Sequence, residues 1–381
     1  MRAYLDHASA SPLRPEALEA MLPWLSAADP GRVHTEGRMV RAALEEAREQ
    51  VAALFGTRPR QVVFTSGGTE AINSAVYGAM ASGRGDHAVV PEVEQSSVRE
   101  SSERWAASLT WVGVDGAGRV DPGEVASALR PDTAVVHCQL ANQEVGTIQP
   151  LEHVMAVVGD AAPARGGPLV HVDATTAAVS LAIAFDALGV DLMSVSSAKL
   201  GGPRGAGALV VRRGLRVPPL LVGGAQERAR RGGLENVAAM VGFGAAAASL
   251  WGGGLEREAA SSRSLMERLR SAVLAVDGVR AFGPDDVAQR LGNLLCVGID
   301  GVEAEAVLLG LDQAGVAAHS GSACSSELLE PSPVLAAMGV PAERSLRLSI
   351  GWSTTDQDIE LVATALPGII GRLRALGAAA G

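Results

Sequence analysis

Lys199 is the only lysine among the 32 lysines and arginines of this chain, and it stands in "SVSSAKLGGPRGAG", an apolar run that ends in a glycine turn. Arginine replaces lysine at little cost on a solvated surface. It stays protonated in proteins, however, whereas a desolvated lysine gives up its proton and forms Schiff bases. A lone lysine at the end of a strand-like run therefore marks a candidate covalent link to a carbonyl cofactor. "HVDAT" sets Asp173 at the end of a second apolar run, where a buried carboxylate can hold a protonated pyridine nitrogen or, more simply, cap the next helix. "TSGGTEA", residues 65–71, follows a third such run. Two glycines and two hydroxyls at a helix N-terminus suit a phosphate, although a glycine turn with Glu70 in the first turn is also ordinary helix initiation. Phosphate cradle, strand-end aspartate and strand-end lysine, in that order, are the parts of a pyridoxal phosphate site. A fourth segment, "HSGSACSSELLEPSPVLAAMG", places Cys324 among small residues, the setting of an accessible nucleophile, unlike Cys138 and Cys296 in apolar runs.

These residues need strands that end at one edge of a sheet. Short β-rich runs alternate with amphipathic stretches along the chain: "RQVVFTSGGTEAINSAVYGAM", "DHAVVPEVEQSS", "TAVVHCQLANQEVG", "PLVHVDATTA" and "VDLMSVSSAKLGG". The alternation predicts an α/β fold with a mainly parallel central sheet, and in such sheets ligands bind beyond the carboxyl ends of the strands. The break "LWGGGLEREAASS" precedes "GVRAFGP", "LGNLLCVGID" and "RSLRLSIGW", which read as a smaller C-terminal α/β unit. The division expected is an N-terminal segment over 1–15 packed on the small domain, a large domain over 16–252 and a small domain over 253–381. At 381 residues the chain has interior enough for a closed site. A net charge of −10 disfavours nonspecific binding to nucleic acid or acidic membranes. "AAMVGFGAAAASLW" reads as a buried helix rather than a membrane span. Three widely spaced cysteines and a start without a signal-like apolar core point to a reduced, cytoplasmic protein.

Taken in order, "AYLDHASASPLRPEALEAM", "VVFTSGGTEA", "NQEVGTIQP", "HVDAT", "GAQERARRGGLENV", "SGSACSSELLEPSPVL" and "LRLSIG" resemble the cysteine desulfurases, pyridoxal phosphate enzymes of the class V aminotransferase group with the fold type I architecture. The resemblance spans nearly the whole chain. It implies that Lys199 carries the cofactor, Asp173 binds its ring nitrogen, Gly68, Thr69 and Ser196 hold its phosphate, Arg347 clamps the substrate carboxylate and Cys324 accepts sulfur from L-cysteine. It further implies a homodimer, with "RRGGLENV" reaching the neighbouring subunit's site, and a sulfur-acceptor protein downstream.

The chain departs from the family pattern at the cofactor. Gln95 stands where a histidine usually stacks on the ring, Ala198 where a second histidine precedes the lysine, and Gln143 where an asparagine contacts cofactor and substrate. Thr176 replaces a glutamine near the ring oxygen, and Leu234 a threonine that reaches the partner's phosphate. Glutamine donates a hydrogen bond but shuttles no proton near neutral pH. The expected activity is conversion of L-cysteine to L-alanine with sulfur passed to Cys324. A β-eliminating carbon–sulfur lyase or an aminotransferase fits the altered contacts as the alternative, and a cofactor-poor binding protein is disfavoured by the retained lysine.

Overall fold

The computed structural model describes residues 2–161, 166–320 and 332–380. In chain order the strands are β1 (Ala3–Tyr4), β2 (Val62–Thr65), β3 (His87–Pro91), β4 (Ser108–Val112), β5 (Thr133–His137), β6 (Leu169–Asp173), β7 (Leu192–Ser196), β8 (Gly207–Val211), β9 (Val279–Phe282), β10 (Leu294–Ile299), β11 (Val316–Ala317) and β12 (Ser345–Ser349). Seven form one sheet in the order β2-β8-β7-β6-β5-β3-β4. Strands β4, β3, β5, β6 and β7 run parallel, and β8 is antiparallel to both its neighbours.

Buried β-branched runs such as "TAVVH" and "LVHVD" explain these strands, because every residue in them is covered. Alternate side chains feed two cores. Val136, Val172 and Val195 share one core with α2 (Thr35–Leu54) and a later apolar helix, on which α1 (Pro15–Met21) packs, while Val135, Leu169 and Leu192 pack with α3 (Gly68–Met80) and α4 (Ser96–Trp105) on the other face. That later helix, Val237–Leu250, is the apolar run noted in the sequence, with ten buried positions named along it.

A second sheet, order β12-β10-β9, is antiparallel and has its own core with the helices Gly254–Leu274, Ala304–Gln313 and Asp356–Ala380. The last helix is long and apolar enough to cross a membrane. Its stripe Ile359, Val362, Leu366, Ile369 and Ile370 is buried in this core, which accounts for its composition.

The N-terminal residues form a strap that ties the two sheets together. Leu5 donates to the Ala317 carbonyl at 2.8 Å and accepts from the Ser349 amide at 2.8 Å, so it lies between β11 and β12. Six residues on, the Ser11 amide reaches the Ala198 carbonyl at 3.0 Å, and Arg14 meets Glu258 through two contacts of 2.6 Å. Between these anchors residues 6–9 pass between Lys199, just after β7, and Arg347 and Ser349 of β12.

Candidate active site

One cavity of about 250 Å³ is lined by residues at or just past the ends of β2, β6 and β7: Gly68 and Thr69, Thr175 and Thr176, and Ser196 and Lys199. At the end of β2 the chain turns through Gly67 into α3, and the turn is tied by Glu70, which accepts from the Ser66 amide at 2.9 Å and pairs with Arg231 at 2.9 Å. The first turn of α3 thus faces the cavity with Gly68 and Thr69. The first-turn amides and positive dipole end of such a helix N-terminus suit an anion. Close packing explains the glycines: a Cβ on Gly68 would lie 3.0 Å from Thr175 Cγ2, and one on Gly207 2.6 Å from the Gly67 carbonyl carbon.

Asp173 closes β6 and is buried behind the cavity wall. Its Oδ1 accepts from the Thr175 amide at 2.9 Å and the Thr175 hydroxyl at 2.6 Å. Burial lifts its pKa above the usual carboxylate value, and the two Thr175 bonds and the Lys199 charge hold that rise back. A cation placed against this carboxylate relieves the desolvation cost. Ser196 closes β7 on the cavity, and Lys199 follows in a single 3-10 turn. Lys199 Nζ donates to the carbonyls of Ala8 and Ser9, the latter at 2.9 Å. Ala198 is one residue away, its carbonyl held by Ser11.

Two glutamines form the opposite wall, each beside a buried glutamate. Gln95 caps α4 by accepting from the Ser97 amide at 2.8 Å. Its neighbour Glu94 accepts from the Gln139 amide, and its other carboxyl oxygen is buried without a partner; burial and the nearby Asp173 push its pKa up to about 8. Gln143 offers its carbonyl to Arg347 Nη1 at 3.2 Å. Glu144 beside it bonds the Ser332 hydroxyl, and burial pushes it up to about 7. Arg347 comes from β12, and its side chain is 0% exposed: Nη2 meets Asp6 at 3.0 Å and the Ser9 hydroxyl at 2.8 Å.

Gly68, Thr69, Gln95, Gln143, Thr176, Ser196, Lys199 and Arg347 therefore line one cavity. Asp173 lies just behind it and Ala198 at its edge. Cys324 falls outside the described residues. Cys138 and Cys296 are buried, and burial drives both thiol pKa values far up, so neither is a thiolate near neutrality. The sequence reading gave no role to Ala8, Ser9 or Thr175, which also line the cavity. Thr175 had a local signal, a hydroxyl two residues after the aspartate. Ser9 had none, because its partner Arg347 is 338 residues away.

The donor set fits a phosphorylated pyridine aldehyde: first-turn amides with Thr69 and Ser196 for the phosphate, a buried carboxylate for a ring nitrogen, and one primary amine. No group of histidine, cysteine and carboxylate side chains arranged to hold a metal occurs among the described residues.

Comparison with known proteins agrees with that chemistry. The family model described as aminotransferase class-V matches residues 3–362. Cysteine desulfurase IscS 1 of Archaeoglobus fulgidus is 37% identical over 386 residues, covering 98% of this chain and 98% of that one. Cysteine desulfurase IscS of Dictyoglomus turgidum is 38% identical, covering 98% of this chain and 95% of that one. Among solved structures, a NifS-like protein superposes with a TM-score of 0.87 at 28% identity, covering 98% of this chain and 100% of that chain.

Proposed function

This chain belongs to the class-V aminotransferase family, within its cysteine desulfurases, which work with pyridoxal phosphate, and from that premise we propose which of its residues carry the reaction. The observation that bears most weight is that the only lysine shares one cavity with Thr69, Ser196 and Arg347. Pyridoxal phosphate bound there supplies an electron sink that labilises bonds at the α-carbon of an amino acid.

The first-turn amides of α3, Thr69 and Ser196 would hold the phosphate. Asp173, ionised, would keep a proton on the ring nitrogen. Lys199 would be the covalent anchor and would carry the proton at the α-carbon. Arg347 binds the carboxylate of L-cysteine, with the Gln143 backbone fixing its guanidinium. Gln95, on the cavity wall, would contact the cofactor through hydrogen bonds without exchanging protons. The thiolate of Cys324 attacks the substrate sulfur. A sulfur–sulfur bond forms as the carbon–sulfur bond breaks, its electron pair stays with the carbon skeleton, and protonation gives L-alanine. Cys324 is left carrying the sulfur for an acceptor protein.

The working form is a homodimer in the cytoplasm. Leu221, Val222 and Leu234 are 40%, 80% and 64% exposed around the "RRGGLENV" loop, and a partner subunit covering them accounts for apolar side chains at that position. The domain division falls near residue 252, in the break between the apolar helix Val237–Leu250 and the helix Gly254–Leu274, with residues 1–15 as an N-terminal segment on the small domain.

Product analysis with L-cysteine tests the assignment. Wild-type protein gives alanine and one extra sulfur on Cys324 by intact mass. Cys324→Ser keeps the spectral response to substrate but makes neither alanine nor sulfide. Sulfide released at the wild-type rate by Cys324→Ser, with pyruvate as co-product, identifies a lyase instead.

A further inference from the structure

Arg347 is a paradox for a substrate-binding group, because its side chain lines the cavity wall yet is 0% exposed. The strap covers it. Nη1 bonds the Gln143 carbonyl at 3.2 Å, while Nη2 meets both Asp6 Oδ1 at 3.0 Å and Ser9 Oγ at 2.8 Å. The Ser9 hydroxyl also donates to Asp6 Oδ1 at 2.8 Å, closing a triangle on one guanidinium nitrogen. Nε is buried with no partner. A carboxylate that grips a guanidinium with two prongs uses either Nη1 and Nη2 or Nε and Nη2. Both forks need Nη2, the atom the strap already holds.

The three covering groups are not equally easy to move. Gln143 contributes a backbone carbonyl. Asp6 is the counter-charge of a buried cation, and its backbone neighbours are fixed: Leu5 lies between β11 and β12, and the Ala8 amide donates to Ser349 Oγ at 2.8 Å. Ser9 contributes only a neutral hydroxyl, and one rotation about its Cα–Cβ bond removes it. Ser9 also lines the cavity.

We propose that Ser9 is a specificity-determining residue whose hydroxyl competes with the substrate carboxylate for Arg347 Nη2. Asp6 sets the counterpart of this competition. It balances the arginine charge, so an incoming carboxylate gains the arginine only through the position Ser9 vacates. The inference rests on the assignment of Arg347 to the carboxylate, and the experiment separates the two. Equilibrium binding of propionate, a carboxylate without an amino group, is measured on the purified protein with its cofactor, alongside KM and kcat for L-cysteine.

Ser9→Ala binds propionate about tenfold tighter, the scale of one hydrogen bond to a charged group, and lowers KM for L-cysteine more than it changes kcat. Ser9→Thr, which keeps the hydroxyl, stays near the wild type. In an Arg347→Ala background the Ser9→Ala gain disappears. Unchanged or weaker propionate binding in Ser9→Ala, or a gain that persists without Arg347, overturns the role of Ser9. Propionate binding that is indifferent to Arg347→Ala overturns the carboxylate assignment itself.

Discussion

The two halves of the cavity are built on different principles. The half that faces the large sheet consists of strand ends: Gly68 and Thr69 after β2, Asp173 at the end of β6, and Ser196 and Lys199 after β7. Each is positioned by the strand it terminates, inside a core that is buried on both faces. The half that faces the small sheet consists of Arg347, Gln143 and the strap residues Asp6 and Ser9, joined by side-chain contacts across more than 200 residues of sequence. The first half is rigid because its backbone is. The second is rigid only while a small set of polar contacts survives. Chemistry that tolerates no displacement sits on the first, and groups that must exchange partners with a ligand sit on the second.

The sharpest test of this contrast removes the amine and leaves the scaffold. Lys199→Arg keeps the charge and the strap carbonyls' partner but cannot form the covalent link, so turnover falls below detection while the melting temperature stays near the wild type. Normal activity in this variant would refute the cofactor assignment.

Asp6→Asn tests the other half. A buried guanidinium without its counter-charge costs about 3 kcal/mol, so this variant unfolds at lower denaturant concentration than the wild type. A midpoint equal to the wild-type value would mean that the strap does not organise Arg347.

The glutamates beside Gln95 and Gln143 give a pH dependence of defined sign. Glu94 keeps its proton up to about 8 in the folded chain and releases it near its ordinary 4.5 when unfolded; Glu144 behaves likewise up to about 7. The folded state binds more protons in this window, so their contribution to stability is complete below about 4.5 and is lost as pH rises through 7 and 8. His137 acts in the opposite direction. Burial lowers its pKa to about 3, so stability falls as pH drops below 6.5. Glu94→Gln, which imitates the protonated acid, flattens the alkaline decline, and urea midpoints at pH 6 and pH 8 measure it.

The smallest effect lies on the loop after the large sheet. Glu227, Arg228 and Ala229 have φ values of 48°, 59° and 60°, the left-handed region, and Arg48 fastens that turn through a buried bidentate pair with Glu227 at 2.6 and 2.7 Å. Ala229→Gly relieves one of the three strained residues and stabilises by about 0.5–1 kcal/mol after the entropy cost of glycine. A lower thermal midpoint in this variant would show that the turn is set by contacts of the alanine methyl instead.

The same contrast explains what was legible in the sequence. Strand ends carry local signals, so "TSGGTEA", "HVDAT" and "SSAKLGG" announced the sheet-facing half, and the alternation of apolar runs announced the parallel sheet. The strap-facing half has no local signature. Arg347 is reached by resemblance alone, and Ser9 and Asp6, though they stand in a segment that carries the resemblance, gain no role from it, because nothing in "LDHASASP" points to a strand beginning at Ser345. The buried Glu94 was equally silent. A glutamate in "VPEVEQSSV" reads as surface, and only the packed structure shows that its carboxyl is enclosed.

The strap also sets a clock. Residues 5–9 are synthesised more than 300 residues before the strands that receive them, β11 and β12. At a synthesis rate of about 5–20 residues per second, the N-terminus waits roughly 20–70 s for its partners. The large sheet, complete by residue 211, has time to fold around an arginine-free cavity before Arg347 exists. A nascent chain that stops before β12 therefore carries the Lys199 pocket without the arginine that the cavity holds in the finished fold.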